Sequence, residues 1–344
     1  MPSLKEIKGR INSISSTLAI TSAMKMVAAA KLQKAQMAIQ NMLPYERRLH
    51  SMLIDLMGAV NMSAPASEEG SARLVSLSNQ PDHTESEGAY SLMAQRQVHR
   101  VAIVAFASNS SLCGAFNSNA IREAIAVINE YRASGLGDAD ITVYSVGRKM
   151  AEAMKKLGFP SPADFTKMSD SPSYDAASAL AQELFDGFVS GRFDKVELVY
   201  NHYKSTSSQP TTRQTYLPLS LADATADIQV GKITDSASES DTNRGAESVG
   251  APVVRQGSPT TEDLIVEPSK EELIVTLLPK VVRLRVFTTL LDSTAAEQAA
   301  RTVAMQLATD NGNDLLQELT LEYNKGRQQK ITSEILDIVG GSMQ

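Results

Sequence analysis

The chain has 344 residues, of which 42% are hydrophobic and 21% charged, with a net charge of −6, so it has room for one to three domains. Its single cysteine excludes a disulfide framework and a metal site built from several cysteines. No run of about 20 apolar residues suits a membrane span, and the first residues contain no apolar signal core, which predicts a cytoplasmic location. The four scattered histidines form no metal-binding motif, so neither a metal nor a cofactor is predicted; they are His50, His83, His99 and His202.

The first segment, residues 1–60, follows a heptad repeat. With Leu4 at position a, 14 of the 17 a and d positions up to Val60 are apolar, which predicts a left-handed coiled coil. Ser3 and Glu6 form a capping-box pattern at its start. Residues 1–50 carry eight basic and two acidic groups, or +6, so the remainder sums to −12. This asymmetry indicates an acidic partner, or nucleic acid, and the scarcity of aromatic residues argues against nucleic acid. A solvated basic helix face is the simpler alternative.

A second long helix is predicted within residues 264–344. Ser269 and Glu272 form another capping-box pattern, and Gly340 followed by Gly341 is typical of a helix C-terminus. Apolar residues follow heptad-like steps between them. The helix spans about 70 residues, or roughly 105 Å, and is longer than the first. In an antiparallel hairpin, one end should therefore project alone.

Between these helices, residues 98–221 alternate between strand and helix patterns. This alternation predicts a small, Rossmann-like, mostly parallel α/β domain. Two acidic stretches without periodicity, 61–97 and 222–263, are predicted to be flexible insertions. Strands are predicted at 101–106, 141–146, 195–203 and 211–217. Helices are predicted at 117–132, between the second strand and residue 157, and at 174–189.

No active site is predicted. Neither a phosphate-binding loop of the GxxxxGK[ST] type nor a GxGxxG motif after a strand is present. The turn at 108–114 could hold an anion at the start of the next helix, but a tight turn that needs Gly114 explains it better. Cys113 is interpreted as a small buried residue, since no histidine accompanies it in the sequence.

Two polar groups interrupt the coiled-coil pattern. Thr21 and Lys25 occupy core positions, so either the pairing loosens there and Lys25 snorkels, or Lys25 reaches an acid on a partner. Near the chain end, Arg327, Gln328 and nearby polar residues are expected roughly along one side of the helix, where they suit a partner's carboxylate or carbonyl groups. The apolar residues beyond them predict a sleeve formed by another protein.

Several motifs together resemble the gamma subunits of bacterial F-type ATP synthases, in the same order along the chain. The stretches are LKEIKGRI at 4–11, ITSAMKMVAAAKL at 20–32, LCGAFN at 112–117, AMQLATDN at 304–311 and YNKGRQQKITSE at 323–334.

The resemblance implies a central rotary shaft without catalytic activity. An antiparallel coiled coil would turn inside a ring of alpha and beta subunits, and the lower part would join the epsilon subunit and the membrane c-ring. It also implies a peripheral location on the cytoplasmic face of the bacterial plasma membrane. Residues matching the segments that contact the beta subunit are Lys25, Arg327, Gln328, Thr332 and Glu334, and Glu267 matches a carboxylate at the foot near the c-ring.

The chain departs from the family pattern in two places. The turn at 108–114 reads SNSSLCG where the family has SD-x-GLCG, and Gly326 stands where alanine is common. The two acidic stretches are longer than the family core requires and are expected to lie outside the catalytic head. Two alternatives from other classes stay open: a nucleotide-handling α/β enzyme with a helical hairpin arm, and a coiled-coil scaffold.

Overall fold

The computed structural model describes residues 3–62, 92, 96–219, 267 and 269–341. Two long helices dominate it: α1 spans Leu4–Met62 and α6 spans Lys270–Gly341. Each continues through an internal proline, Pro44 in α1 and Pro279 in α6. The predicted side-chain caps form, since Ser3 Oγ accepts from the Glu6 amide and Ser269 Oγ from the Glu272 amide. The acidic stretch predicted at 61–97 lies almost entirely outside the described residues, and that at 222–263 lies wholly outside them.

The α/β domain follows the predicted order of elements. Its third strand ends two residues earlier than predicted, because His202 and Tyr203 leave the sheet to bond with α6. A short helix at Thr166–Asp170 was not predicted from the sequence. The elements are β1 Val101–Phe106, α2 Phe116–Ala133, β2 Ile141–Val146, α3 Arg148–Lys156, α4 Thr166–Asp170, α5 Tyr174–Val189, β3 Lys195–Asn201 and β4 Thr211–Leu217.

The four strands form one sheet in the order β2-β1-β3-β4. β1 pairs in parallel with β2 and β3, and β4 is antiparallel to β3, so the predicted mostly parallel sheet is confirmed. Side chains of β1 alternate between two cores, as expected for a strand covered on both faces. Val101, Ile103 and Ala105 pack towards α2 and α3. Val104 and Phe106 pack towards α5 and α6, which places the coiled coil directly on the sheet.

α1 and α6 pair as an antiparallel coiled coil. Thr21 Oγ1 lies 3.2 Å from Thr309 Oγ1, and Gly312 and Gly326 lie against Leu18 and Leu4 respectively. Facing residue numbers therefore sum to about 330 over this stretch. The predicted heptad register is confirmed, since every buried apolar residue among those described in α1 occupies an a or d position; these are Ile7, Ala28, Leu32, Ala35, Leu49, Leu53 and Leu56.

The two glycines of this interface differ in how much space they leave. A Cβ at Gly326 would lie 3.1 Å from Leu4 Cδ2, at the start of α1, where the leucine end can shift. A Cβ at Gly312 would lie 2.6 Å from Leu18 Cδ2 and 3.2 Å from its Cγ, well inside the paired stretch. Gly312 is therefore required for close approach of the helices, whereas Gly326 is not.

Replacing each of these two glycines by alanine should change the stability of the chain in opposite directions. We expect Gly326→Ala to raise the free energy of unfolding by about 0.5–1 kcal/mol, because alanine favours helix more than glycine does. Gly312→Ala should lower it, because overpacking costs about 1–3 kcal/mol and exceeds the same helical gain. Urea unfolding of the full chain, followed by circular dichroism, measures both. Equal stabilisation by the two substitutions would contradict this account of the interface.

Candidate functional site

The last part of α6 extends beyond its partner helix. Since Leu4 lies beside Gly326, residues 327–341 have no facing residue in the described part of α1. At 1.5 Å per residue this single-helix end is about 22 Å long. The expectation that one end of the hairpin projects alone is therefore confirmed, and the end that projects carries the polar residues singled out in the sequence.

The four residues of this end that the sequence singled out are all exposed: Arg327, Gln328, Thr332 and Glu334. Helical rotation places Arg327 and Glu334 on one side, while Gln328 and Thr332 share another side about 120° away. The bond from Thr332 Oγ1 to the carbonyl of Gln328, at 2.9 Å, shows this stacking. Glu334 also lies 3.7 Å from Lys330 in an exposed pair, which contributes little to stability. They thus form two polar surfaces instead of the single side expected.

The same end exposes large apolar side chains over about half of its circumference. Monomeric proteins rarely present such a continuous apolar surface unless another molecule covers it. The exposed apolar residues are Ile331, Ile335, Leu336, Ile338 and Val339.

Lys25 lies at a different level of the coiled coil. The register places it beside Met305, which is 22 residues or about 33 Å from Arg327 along the axis. Its side chain is half-buried and makes no hydrogen bond or ion pair within the described residues. The exposed apolar residues Met26 and Val27 follow it directly. The structure therefore separates Lys25 from the helix end, and it leaves the ammonium group available to an outside acid.

Glu267 lies at the opposite end of the molecule. It is exposed and sits just before Ser269, whose side chain caps the start of α6. About 60 residues of chain, almost all of them helical, separate Glu267 from Arg327, or roughly 90 Å. The predicted contact residues therefore fall at three well-separated levels and form no single site.

The place where a doubly wound sheet usually binds its ligand is filled by α6. In this topology the crevice lies between β1 and β3, whose crossover helices lie on opposite faces of the sheet. Ala296 packs there against Cys113 and Phe116, and Arg301 Nη2 donates to Ser110 Oγ at 2.7 Å. The crevice is thus the place where the α/β domain attaches to the coiled coil. Because α6 fills the position that a ligand would take, this argues against the nucleotide-handling alternative.

The turn that lines this crevice is structural. Gly114 has a φ of +58°, so the expectation that the turn needs a glycine is confirmed. Cys113 is buried, as predicted. Within the turn, Asn117 Oδ1 accepts hydrogen bonds from the amide and the hydroxyl of Ser108, both at 3.0 Å.

Two buried carboxylates in this part of the molecule resemble catalytic acids but are held by cations. Glu297 lies 2.7 Å from Arg301; burial raises the pKa of Glu297, and Arg301 acts in the opposite direction. Burial also acts to raise the pKa of Glu197 in β3, but hydrogen bonds from Arg213, Lys195 and Tyr131 outweigh it and lower that pKa. Carboxylates paired with cations in this way are explained by their part in holding the fold together.

No sequence pattern indicates Asp292, which the structure places at a junction. Its carboxylate bonds to the loop that follows β3, through His202 and the Tyr203 amide. The only local signal is that His202 comes directly after a strand, at the carboxyl end where connecting loops carry functional groups. In the sequence alone, nothing distinguished His202 from the other three histidines.

The described residues include no helix long and apolar enough to cross a membrane. Within the same ranges, no group of three or more His, Cys, Asp or Glu residues could hold a metal ion.

The chain is similar to known proteins over its whole length. A family profile described as ATP synthase matches residues 3–343. The ATP synthase gamma chain of Phocaeicola vulgatus is 49% identical over 343 residues, and that of Bacteroides thetaiotaomicron is 47% identical over 344, with all of each chain covered. Among solved structures, one chain of the mitochondrial ATP synthase of Euglena gracilis has a TM-score of 0.54 at 20% identity, with 99% of this chain and 93% of that chain covered. At that identity the likeness supports the fold alone.

Coiled coil, sheet and profile together define the class as an ATP synthase central-stalk subunit, and not an enzyme in its own right. The chain belongs to the gamma-chain family of F-type ATP synthases. The predicted fold and the predicted role as the central shaft are thereby confirmed.

Proposed function

We propose that this chain couples rotation to catalysis through contacts at three separate levels along its length. The single-helix end, 327–341, and the Lys25 level would meet alpha and beta subunits of the catalytic ring, and the end near Glu267 would meet the epsilon subunit and the c-ring. The observation that carries the proposal is that α6 continues past Leu4, the first residue of α1, with exposed polar and apolar residues on a helix that extends the coiled coil.

The upper contacts follow from the chemistry of the exposed groups. Arg327 presents a planar guanidinium and Gln328 an amide on different sides of the helix, so each can meet a different partner carboxylate or carbonyl as the shaft turns. Thr332 and Glu334 extend the two polar surfaces by one to two turns. The apolar side chains between them suit a closely fitting apolar sleeve.

Lys25 would act lower down, against an acidic segment of a beta subunit. Lys25 is half-buried and has no acid partner within the described residues, so a carboxylate of another chain could satisfy its ammonium group. With contacts at two levels about 33 Å apart, the ring would hold the shaft against tilting while it rotates.

The contact at the end near Glu267 and the location of the complex in the cell are proposed together. Glu267 is exposed at the end opposite the polar helix tip, where a rotor would meet its driving ring. The complex would then lie on the cytoplasmic face of the bacterial plasma membrane, with this chain held peripherally by its partners. Neither a cofactor nor nucleic acid has a place in this proposal.

Co-expression with the alpha and beta subunits of the same organism tests the proposal. We expect the full chain to co-purify at one copy per ring and to sustain rapid ATP hydrolysis. The comparison is a chain ending at Gly326, which retains the paired coiled coil but lacks the single-helix end. This truncated chain should lower turnover or assembly. Full turnover and assembly with it would refute a coupling role for 327–341.

A further inference from the structure

One loop of the α/β domain bonds to both long helices at once. His202 and Tyr203 follow β3 directly. Asp292 of α6 accepts the Tyr203 amide at 2.9 Å through Oδ1, and its Oδ2 lies 2.6 Å from His202 Nδ1. The Tyr203 hydroxyl accepts from Gln36 Nε2 of α1 at 2.6 Å. We call these four residues the loop joint.

The loop joint connects the middle of the sheet to the coiled coil. β3 is an inner strand, paired on both sides, so a force applied to the loop reaches the whole sheet. Tyr203 also packs beside Leu32 of α1 and Ala295 and Ala299 of α6, at the line where the two helices meet. Apolar packing alone permits sliding, whereas directed hydrogen bonds to both helices oppose rotation of the domain about the coiled-coil axis.

The charges around His202 make the joint sensitive to protonation. Asp292, from α6, raises the pKa of His202, while burial and Lys204, from the same loop, act to lower it; the net direction is upward. The imidazole side chain is 40% exposed, so solvent protons reach it. A raised pKa means that protonation strengthens the contact. The added stability is complete below the ordinary value of 6.5 and is lost as the pH rises through the raised value.

We propose that Asp292 is a positioning residue that sets the angle of the α/β domain on both shaft helices, and that protonation of His202 tightens this setting. The joint goes beyond the coupling contacts proposed above and rests on the shaft role only for its mechanical consequence. A tight joint would pass torque between the domain and the coiled coil. A joint loosened at alkaline pH would leave the torque to the other contacts of the domain with α6, such as the bond of Arg301 to Ser110, so the domain would yield more before the shaft turns.

Hydrogen exchange of the Tyr203 amide in the full chain tests the joint directly. The variants are Asp292→Asn, which keeps an acceptor for the amide but removes the charge, and His202→Gln, which keeps a donor but does not titrate. The matched control is Asp314→Asn, since Asp314 is an exposed acid on α6 without a hydrogen bond or ion pair within the described residues.

We expect the protection factor of Tyr203 to be roughly tenfold higher at pH 6 than at pH 8.5 in the original chain and in the Asp314→Asn control. His202→Gln should give the same protection at both pH values. Asp292→Asn should give a reduced protection that does not change with pH, because a neutral amide oxygen accepts the Tyr203 bond more weakly than a carboxylate does. A pH-dependent protection factor in His202→Gln, or unchanged protection in Asp292→Asn, would overturn the proposal.

The assembled complex gives the mechanical readout. Proton pumping per ATP hydrolysed should fall with rising pH in the original complex and stay constant in the His202→Gln complex, measured in the same vesicles. The same decline in both complexes would show that other groups cause it and would refute the mechanical role. These outcomes are distinct from a failure of the proposed function, in which the chain would not assemble at all.

Discussion

Replacing Arg327 and Gln328 together by alanine should lower ATP hydrolysis by the assembled complex by about tenfold or more. Truncating a charged group inside an interface costs on the order of 2 kcal/mol, and about 1.4 kcal/mol corresponds to a factor of ten in rate. The shaft itself should remain folded, because both residues are exposed on a continuous helix and alanine is the best helix former. Steady-state turnover and circular dichroism measure the two effects separately.

Lys325→Ala is the matched control for this prediction. It removes a positive charge two residues earlier, at an exposed position about 160° around the helix from Arg327. If the effect depends on the specific surface, the control should retain most of its turnover. Equal losses in both variants would show that only the net charge of the helix end matters, and unchanged turnover in the double variant would remove these residues from the coupling role.

The second large effect is expected inside the α/β domain, at the start of α3. Gly147 has a φ of +98°, and a Cβ there would lie 2.0 Å from the carbonyl oxygen of Ala107. That carbonyl also accepts the hydroxyl of Ser169 at 3.1 Å, so the backbone cannot easily retreat. We expect Gly147→Ala to lower the free energy of unfolding by at least about 2 kcal/mol, through strain and steric clash together. Urea unfolding of the full chain measures the loss.

Gly158→Ala separates the clash from the strain. Gly158 has a similar φ of +91°, but a Cβ there would meet nothing within 4 Å. This variant should therefore lose only the smaller amount that a left-handed backbone costs alanine, about 1 kcal/mol. If both variants were equally destabilised, the close approach of Ala107 would have no energetic consequence and the account of Gly147 would be wrong.

The α/β domain and the coiled coil form one unit because α6 belongs to both: it packs on the sheet and pairs with α1. Its first half packs into the core of the sheet, from Ile274 to Leu290. Its middle fills the crevice between β1 and β3, where Arg301 bonds to the turn. Its last turns extend beyond the first residue of α1. One continuous helix therefore carries any rotation of the domain to the exposed end, which accords with the role of the gamma-chain family.

Much of this architecture could be read from local patterns. Heptad spacing from Leu4 predicted both the length of α1 and which of its residues are buried, because burial along a paired helix repeats every 3.5 residues. The strands at 101–106, 141–146 and 211–217 were predicted at their observed bounds, since short apolar or alternating runs between turn residues have few other uses. The capping serines and Gly114 were predicted for the same reason: their roles depend only on adjacent residues.

Pairings between distant segments were decided only by the tertiary structure. The register that sets Gly312 against Leu18, the filling of the crevice by Ala296, and the bond of Asp292 to His202 join residues that lie far apart in the sequence. A heptad pattern states which face of a helix is buried, but many registers satisfy it equally. Only close packing of particular side chains, with each buried polar group bonded, selects one of them.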